Sequence, residues 1–271
     1  MIMKQKYYMT KEENIFVAKR NIVDCIWKLA RLADIDVSYP DVDSIVYGGR
    51  APGIMVDDII AVNNMKHAWW YILDNVDEQM NIAHICSLHD VIDGMLRNTV
   101  VSDENQVKQE ISDVLAIENT TDRAITLMLY LMRKQLFIDG NKRTSMLAGN
   151  QVMISNGCGI ISVPIECQRE FKKLLVQFYE SGNMDEIKAF VYENCIDGID
   201  FMQQNERQHV KDIEKIVQEV DASMTLEGLP LTEEDKERIR VCLNNPSLFD
   251  KIIKELIEKH TVSNTKSLKF D

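Results

Sequence analysis

Apolar residues recur at helical spacing along almost the whole chain, which leaves a helical bundle as the architecture. Phe171, Leu174, Leu175, Phe178 and Tyr179 follow i, i+3, i+4, i+7, i+8, so all five share one helix face. Helix breakers are sparse, with 5 prolines and 11 glycines in 271 residues. Thr10 with Glu13 makes a capping box, and the spacing predicts a helix from there to Ala33. Further helices are expected over Asp57 to Leu73, Asn81 to Met95, and Met184 to Cys195. Glu104 to Leu136 reads as helix broken near Asn119-Thr120-Thr121, and another runs from the Asp139-Gly140-Asn141 turn to Ser155. Ser38 to Gly53 is rich in turn residues, and Ser44-Ile45-Val46-Tyr47 within it is expected to be a short hairpin strand. Ile160 to Val163 is a second short extended piece. The class is all-α with a small hairpin.

Composition shifts after about Asp200, giving a first segment of 1–200 and a second of 201–271. The second is strongly polar, with the stripe Ile213, Ile216, Val217 and Val220, and Thr232 and Ser247 can each cap a short helix. Thirty-one basic residues face 43 acidic ones, a net charge of −12, which excludes a whole-surface nucleic-acid binder. No apolar run approaches the ~18–20 residues of a membrane span. The first residues lack the apolar core of a leader. A cytoplasmic protein without membrane or nucleic-acid partners is expected, and a homo-oligomer stays open. The six cysteines show no metal spacing and read as reduced core thiols. Trp27, Trp69 and Trp70 read as core.

The richest chemistry lies in Gln135-Leu136-Phe137-Ile138-Asp139-Gly140-Asn141-Lys142-Arg143. It is a short loop entering a helix, where free N–H groups and the helix dipole attract anions. Gly140 has no Cβ, which lets a phosphate approach the backbone. Asn141 can donate to phosphate, and Arg143 offers it a planar fork. Asp139 is an oxygen ligand of the kind Mg²⁺ uses beside phosphates. Asp-Gly-Asn is also an ordinary turn, and Lys142-Arg143 an ordinary solvated pair.

The spacing adds weight to the phosphate reading. Phe137, Asp139, Gly140, Asn141, Lys142 and Arg143, followed by Thr144, resemble the Fic family motif H-x-F-x-(D/E)-G-N-(G/K)-R in its loop-to-helix setting. The resemblance covers about residues 40 to 200 and implies an all-α bundle with a hairpin flap ahead of the motif. It implies ATP and Mg²⁺ as cofactors and transfer of AMP to a hydroxyl of a target protein, the chain itself included. Phe137, Asp139, Gly140, Asn141, Lys142 and Arg143 would form the nucleotide-binding set, with Phe137 anchoring the loop and Asp139 holding the metal. Gln135 and Arg143 take the catalytic positions. Ile45, Val46 and Tyr47 fall in the flap, which would lay down a target segment by strand addition. Doc relatives, which Lys142-Arg143-Thr144 resembles, transfer the γ-phosphate instead.

Two departures stand out. The family's general-base histidine falls at Gln135, whose amide accepts no proton at useful pH. His67 or His89 is the spatial substitute to look for. A second arginine found in many AMP-transferring relatives falls at Met146. Further on, Ser223-Met224-Thr225-Leu226-Glu227-Gly228 resembles the family's inhibitory (S/T)-x-x-x-E-(G/N) pattern. It implies that Ser223, Glu227 and Gly228 belong to a C-terminal brake placing a carboxylate beside the phosphate site. The readings are then an autoinhibited AMP-transferase, a nucleotide-binding module without catalysis, or a Doc-like phosphotransferase.

Overall fold

The computed structural model describes residues 3–94, 104–200, 213–222, 224–225 and 230–244. Its contacts divide the chain into two units, 1–200 and 201–271. The first unit is helical: α1 Lys11–Arg20, α2 Ile22–Leu32, α3 Tyr39–Val46, α4 Val56–Asp74, α5 Ile82–Ile92, α6 Glu104–Leu115, α7 Thr120–Lys134, α8 Asn141–Ser155, α9 Gln168–Ser181 and α10 Asp185–Asn194. Two two-residue strands, β1 Ile160–Ile161 and β2 Ile196–Asp197, pair antiparallel with Ile160 opposite Asp197.

The centre is the antiparallel pair α7 and α8. Almost every residue of α8 from Thr144 to Ile154 is buried, with α1, α4, α5 and α7 packed around it. Gly149 sets the closeness of the pair, since a Cβ there would lie 3.1 Å from Met128 Cβ and 3.2 Å from the Ala124 carbonyl. Asn14 and Asn150, both fully buried, each clamp one peptide where short strands give little ladder. Asn14 accepts from the Gly159 N–H (2.7 Å) and donates to its carbonyl (3.2 Å). Asn150 does the same for Ile161, both at 2.8 Å.

The helices over Asp57 to Leu73 and Glu104 to Leu136, the Asn119 break and the Ser155 stop lie where the sequence puts them, with Asn119 capping α7 through the Asp122 N–H at 2.9 Å. Three expectations are corrected. The helix from Thr10 breaks at Asn21 (φ −97°, ψ 11°), whose backbone and side-chain amides both reach the Val17 carbonyl; such local bonding competes with continuing the helix. The hairpin strand at Ser44 to Tyr47 is instead the end of α3. Ser38 and Asp41 form a capping box with Pro40 in the first turn, a start signal that outweighs the following turn residues. Val42, Ile45 and Val46 are buried at i, i+3, i+4. Ile45 and Val46 therefore offer no strand edge to a target, and only Tyr47, 74% exposed, remains accessible. Trp69 is buried, but Trp70 is partly exposed beneath the Lys19 ammonium, 5.5 Å from its ring.

Glu110 ties α6 to the end of α7, accepting from Lys134 Nζ and the Tyr130 hydroxyl, both at 2.6 Å. These bonds, the lysine's first, hold its carboxyl down at about 2. A depressed carboxylate stabilises the fold above its unfolded value near 4.5 and stops doing so as pH falls through about 2. Glu110→Gln should lower the melting temperature at neutral pH, and its gap to the parent should close as pH falls toward 2. Thermal unfolding against pH reads this, and a gap independent of pH would refute it.

In the second unit, residues 213–222 are helical and Thr232 caps the Glu233–Asn244 helix, with the Asp235 N–H at 3.2 Å. Arg240 bridges Glu214 through Nε at 2.6 Å. Ile213 and Val217 are buried, while Ile216 and Val220 are exposed. Ser223, Glu227 and Gly228 lie outside the described residues, as does the helix expected from Ser247.

Candidate functional site

The α7–α8 connection forms one wall of a cavity of about 470 Å³. The opposing walls come from distant segments: Asp57, Asp58, Ile60 and Asn64 on α4, Asp93 after α5, and Ala33 and Ile35 after α2. Gln135, Asp139, Gly140, Asn141, Lys142 and Arg143 all line it.

Gln135 ends α7 in the left-handed conformation (φ 51°, ψ 59°), its N–H on the Leu131 carbonyl at 3.3 Å and Nε2 donating to the Met132 carbonyl. That conformation costs a non-glycine residue about 1 kcal/mol. What fixes the loop is Asn141. Its Oδ1 accepts from the Phe137 N–H (3.0 Å), and its Nδ2 donates to the Phe137 carbonyl (2.6 Å). Phe137 points inward and stacks on His89, ring centroids 3.6 Å apart and 9° from parallel. His89 shares a hydrogen bond between Nδ1 and Thr144 Oγ1 at 3.1 Å. Its Nε2 is buried without a hydrogen-bond partner among the described residues, 4.0 Å from Asp93 Oδ2. Burial pushes His89 below its ordinary value and outweighs the upward pull of Asp93 and Asp90, so the ring is neutral at pH 7.

The charges of the loop are paired. Arg143 holds Asp139 at 3.1 Å, and Lys142 lies 3.6 Å from Asp34. Lys172 foremost, with Lys142 adding, holds the Asp34 carboxyl below its usual range. No side chain caps α8, so the N–H groups of its first turn remain available to an anion in the cavity.

The structure adds to the readings of four residues. Gly140 (φ 73°) is glycine because a Cβ would meet His89 Cε1 at 3.2 Å and Ile92 Cγ2 at 3.4 Å, and because its conformation is left-handed. Asn141, expected to donate to phosphate, spends its side chain on the loop. Phe137 lies beneath the cavity rather than in its lining. Met146 is buried core beside Cys25, Leu29 and Trp69, so the second-arginine position does not reach the cavity. Sequence alone missed Asp57, Asp58, Asn64 and Asp93, which no spacing connects to the loop. His89 proves to lie against the motif, but as its support, with Nε2 closed to solvent. His67 is exposed and lines no part of the cavity. No group of three metal-ligating side chains gathers among the described residues, and no described helix is long and apolar enough to cross a membrane.

Residues 78–153 match the Fic/DOC family. The matched segment includes α5, which carries His89, and the whole of the α7–α8 connection. Solved structures resemble the chain in fold. A fragment (residues 134–508) of Fic-1 from C. elegans has 19% identity and a TM-score of 0.59, over 66% of this chain and 62% of that one. A glutamate-to-glycine variant of the same fragment has 17% identity and a TM-score of 0.60, over 78% and 68%. The chain thus spans under two thirds of the first fragment's length. No curated protein sequence matches it. The all-α architecture with a minimal sheet is that of the Fic fold.

Proposed function

We propose that the cavity binds ATP with Mg²⁺, and that the chain transfers AMP from it to a protein hydroxyl at a rate limited by Gln135. The observation that carries this reading is the uncapped N-terminus of α8 at the wall of a 470 Å³ cavity, with Arg143 in its first turn. Helix amides there take phosphate oxygens, and the guanidinium adds a charged fork. The apolar side of the cavity, Ala33, Ile35, Ile60 and Ile138, suits a flat base.

The metal fits this lining. Asp139 is 79% exposed, and Asp57, Asp58 and Asp93 face the same space. A triphosphate entering beside four carboxylates and two cations requires added positive charge. Mg²⁺ commonly needs only one or two carboxylates when phosphates supply the rest; when bound it would screen the phosphate charge. Asp139 now holds Arg143, so engaging Asp139 elsewhere frees the guanidinium for phosphate. In the transfer, the hydroxyl oxygen bonds to the α-phosphorus as the bond to pyrophosphate breaks. Gln135 can orient the hydroxyl through its carbonyl but cannot take the proton, which leaves to solvent or phosphate. A silent nucleotide-binding module is the second reading, and Gln135 favours it. The segment Ser223 to Gly228 supports a brake on either, with Glu227 as its carboxylate.

Calorimetric titration of Mg-ATP should give binding that weakens about tenfold or more in Arg143→Ala. Intact-mass measurement of Glu227→Gly after Mg-ATP should show an AMP-sized gain. A phosphate-sized gain moves the chain to Doc-like chemistry, and binding without any gain to the silent module. Absence of ATP binding in parent and variant alike removes the reading.

A further inference from the structure

The wall of the motif cavity that faces away from the loop carries one polar group that phosphate chemistry leaves unused. Ile60, Ala61 and Asn64 of α4 line the cavity; at i, i+1 and i+4 they share one helix face. Asn64 is half-buried, and its Nδ2 donates to the Ile92 carbonyl at the end of α5, 3.2 Å away. That bond settles which end of the amide is nitrogen. Oδ1 has no hydrogen-bond partner among the described residues, and Nδ2 keeps a second N–H. Gln135 and Asn141 are the other side-chain amides of the described lining. Asn141 is spent on Phe137, and Gln135 stands on the loop wall, where α7 ends. Asp57, Asp58 and Asp93 face the same space, but a carboxylate accepts hydrogen bonds and donates none. Among the described side chains of the wall opposite the loop, Asn64 therefore supplies both an acceptor and a donor, and it does so beside apolar Ile60 and Ala61.

We propose that Asn64 reads the nucleobase and selects adenine over guanine, an assignment that rests on the ATP reading and deepens it. With the phosphates at the start of α8, the base lies against Ile60 and Ala61. Oδ1 accepts from the exocyclic amine of adenine, and the second N–H of Nδ2 donates to the adjoining ring nitrogen, the pairing by which a primary amide recognises this base. Guanine carries a carbonyl oxygen where adenine has the amine, so Oδ1 would meet it acceptor against acceptor. The bond to the Ile92 carbonyl holds the amide against turning over to suit guanine. A site built to bond one group of its ligand rejects the analogue lacking it, because the site's own polar atom is left unmatched.

The test is calorimetric titration of the full chain with Mg-ATP, Mg-GTP and Mg-purine riboside triphosphate, in which hydrogen replaces the amine. The parent should bind Mg-ATP about tenfold or more tightly than either of the others. Asn64→Ala should weaken Mg-ATP by about tenfold and the other two by no more than about twofold, so that all three bind nearly alike. A thermal melt checks that the variant is folded, and the comparison of nucleotides in the parent needs no variant at all. Equal binding of ATP and either competitor by the parent overturns the assignment. So does an Asn64→Ala variant that loses affinity for all three in the same proportion, which would make Asn64 a brace between α4 and α5. Both results leave the ATP reading standing. Binding of none of the three by the parent removes that reading and the assignment together.

Discussion

Gln135→His should raise AMP transfer by about 10²–10⁴-fold, the usual worth of a positioned general base. The position accepts the change. Residue 135 is left-handed at φ 51°, a region in which histidine is several-fold enriched among non-glycine residues. The side chain lines the cavity, and the substitution gives up its bond to the Met132 carbonyl and its contact with the Tyr179 hydroxyl. A free imidazole titrates at about 6.5, so the gain should be present at pH 7.5 and fade toward acid pH as the ring protonates. The measurement is intact mass after Mg-ATP, in a Glu227→Gly background and beside the same background carrying Gln135. A gain only with histidine means that a sound nucleotide site is silenced by one side chain. Equal gains with glutamine and histidine would mean that deprotonation does not limit the rate. No gain with either, while ATP still binds, would sink the transfer reading for this chain's own hydroxyls.

The fold and the site were legible to different depths. Helices with an unbroken stripe and a capping residue, such as α7 behind Asn119, could be read because both signals are local. The segment 38–47 was misread because two local signals conflict there. Ser38-x-x-Asp41 and Pro40 start a helix, Gly48-Gly49 announces a turn, and burial of Val42 and Ile45 settles the matter. At the site, the motif loop was visible as spacing, but the partners that shape it were not. Asp57 and Asp93 reach it only through packing of α4 and α5, and His89, which the sequence offers only as a substitute base, supports the loop. Gly140 shows the same limit. Its residue type was legible, but the His89 ring packed against it and its left-handed conformation were not.

Asn141→Ala should destabilise the first unit by about 2–4 kcal/mol and abolish the shape of the site with it. Alanine leaves the Phe137 N–H and carbonyl without the partners they have at 3.0 and 2.6 Å. Asn141 is 7% exposed and Phe137 5%, so water replaces those partners poorly, and each unmatched buried group costs about 1–3 kcal/mol. For a domain this size that is a fall in melting temperature of roughly 5–15 °C. Asn14→Ala is the matched control, because Asn14 clamps Gly159 in the same two-bond manner at a site remote from the cavity lining. Both variants should lose stability to a similar degree. Only Asn141→Ala should also weaken Mg-ATP binding at a temperature where both remain folded, since only there does the loop carrying the α8 amides lose its brace. A melt of Asn141→Ala within a degree of the parent would show that the loop holds itself. Equal loss of ATP binding in the two variants would show that the effect is general loosening of the fold rather than this clamp.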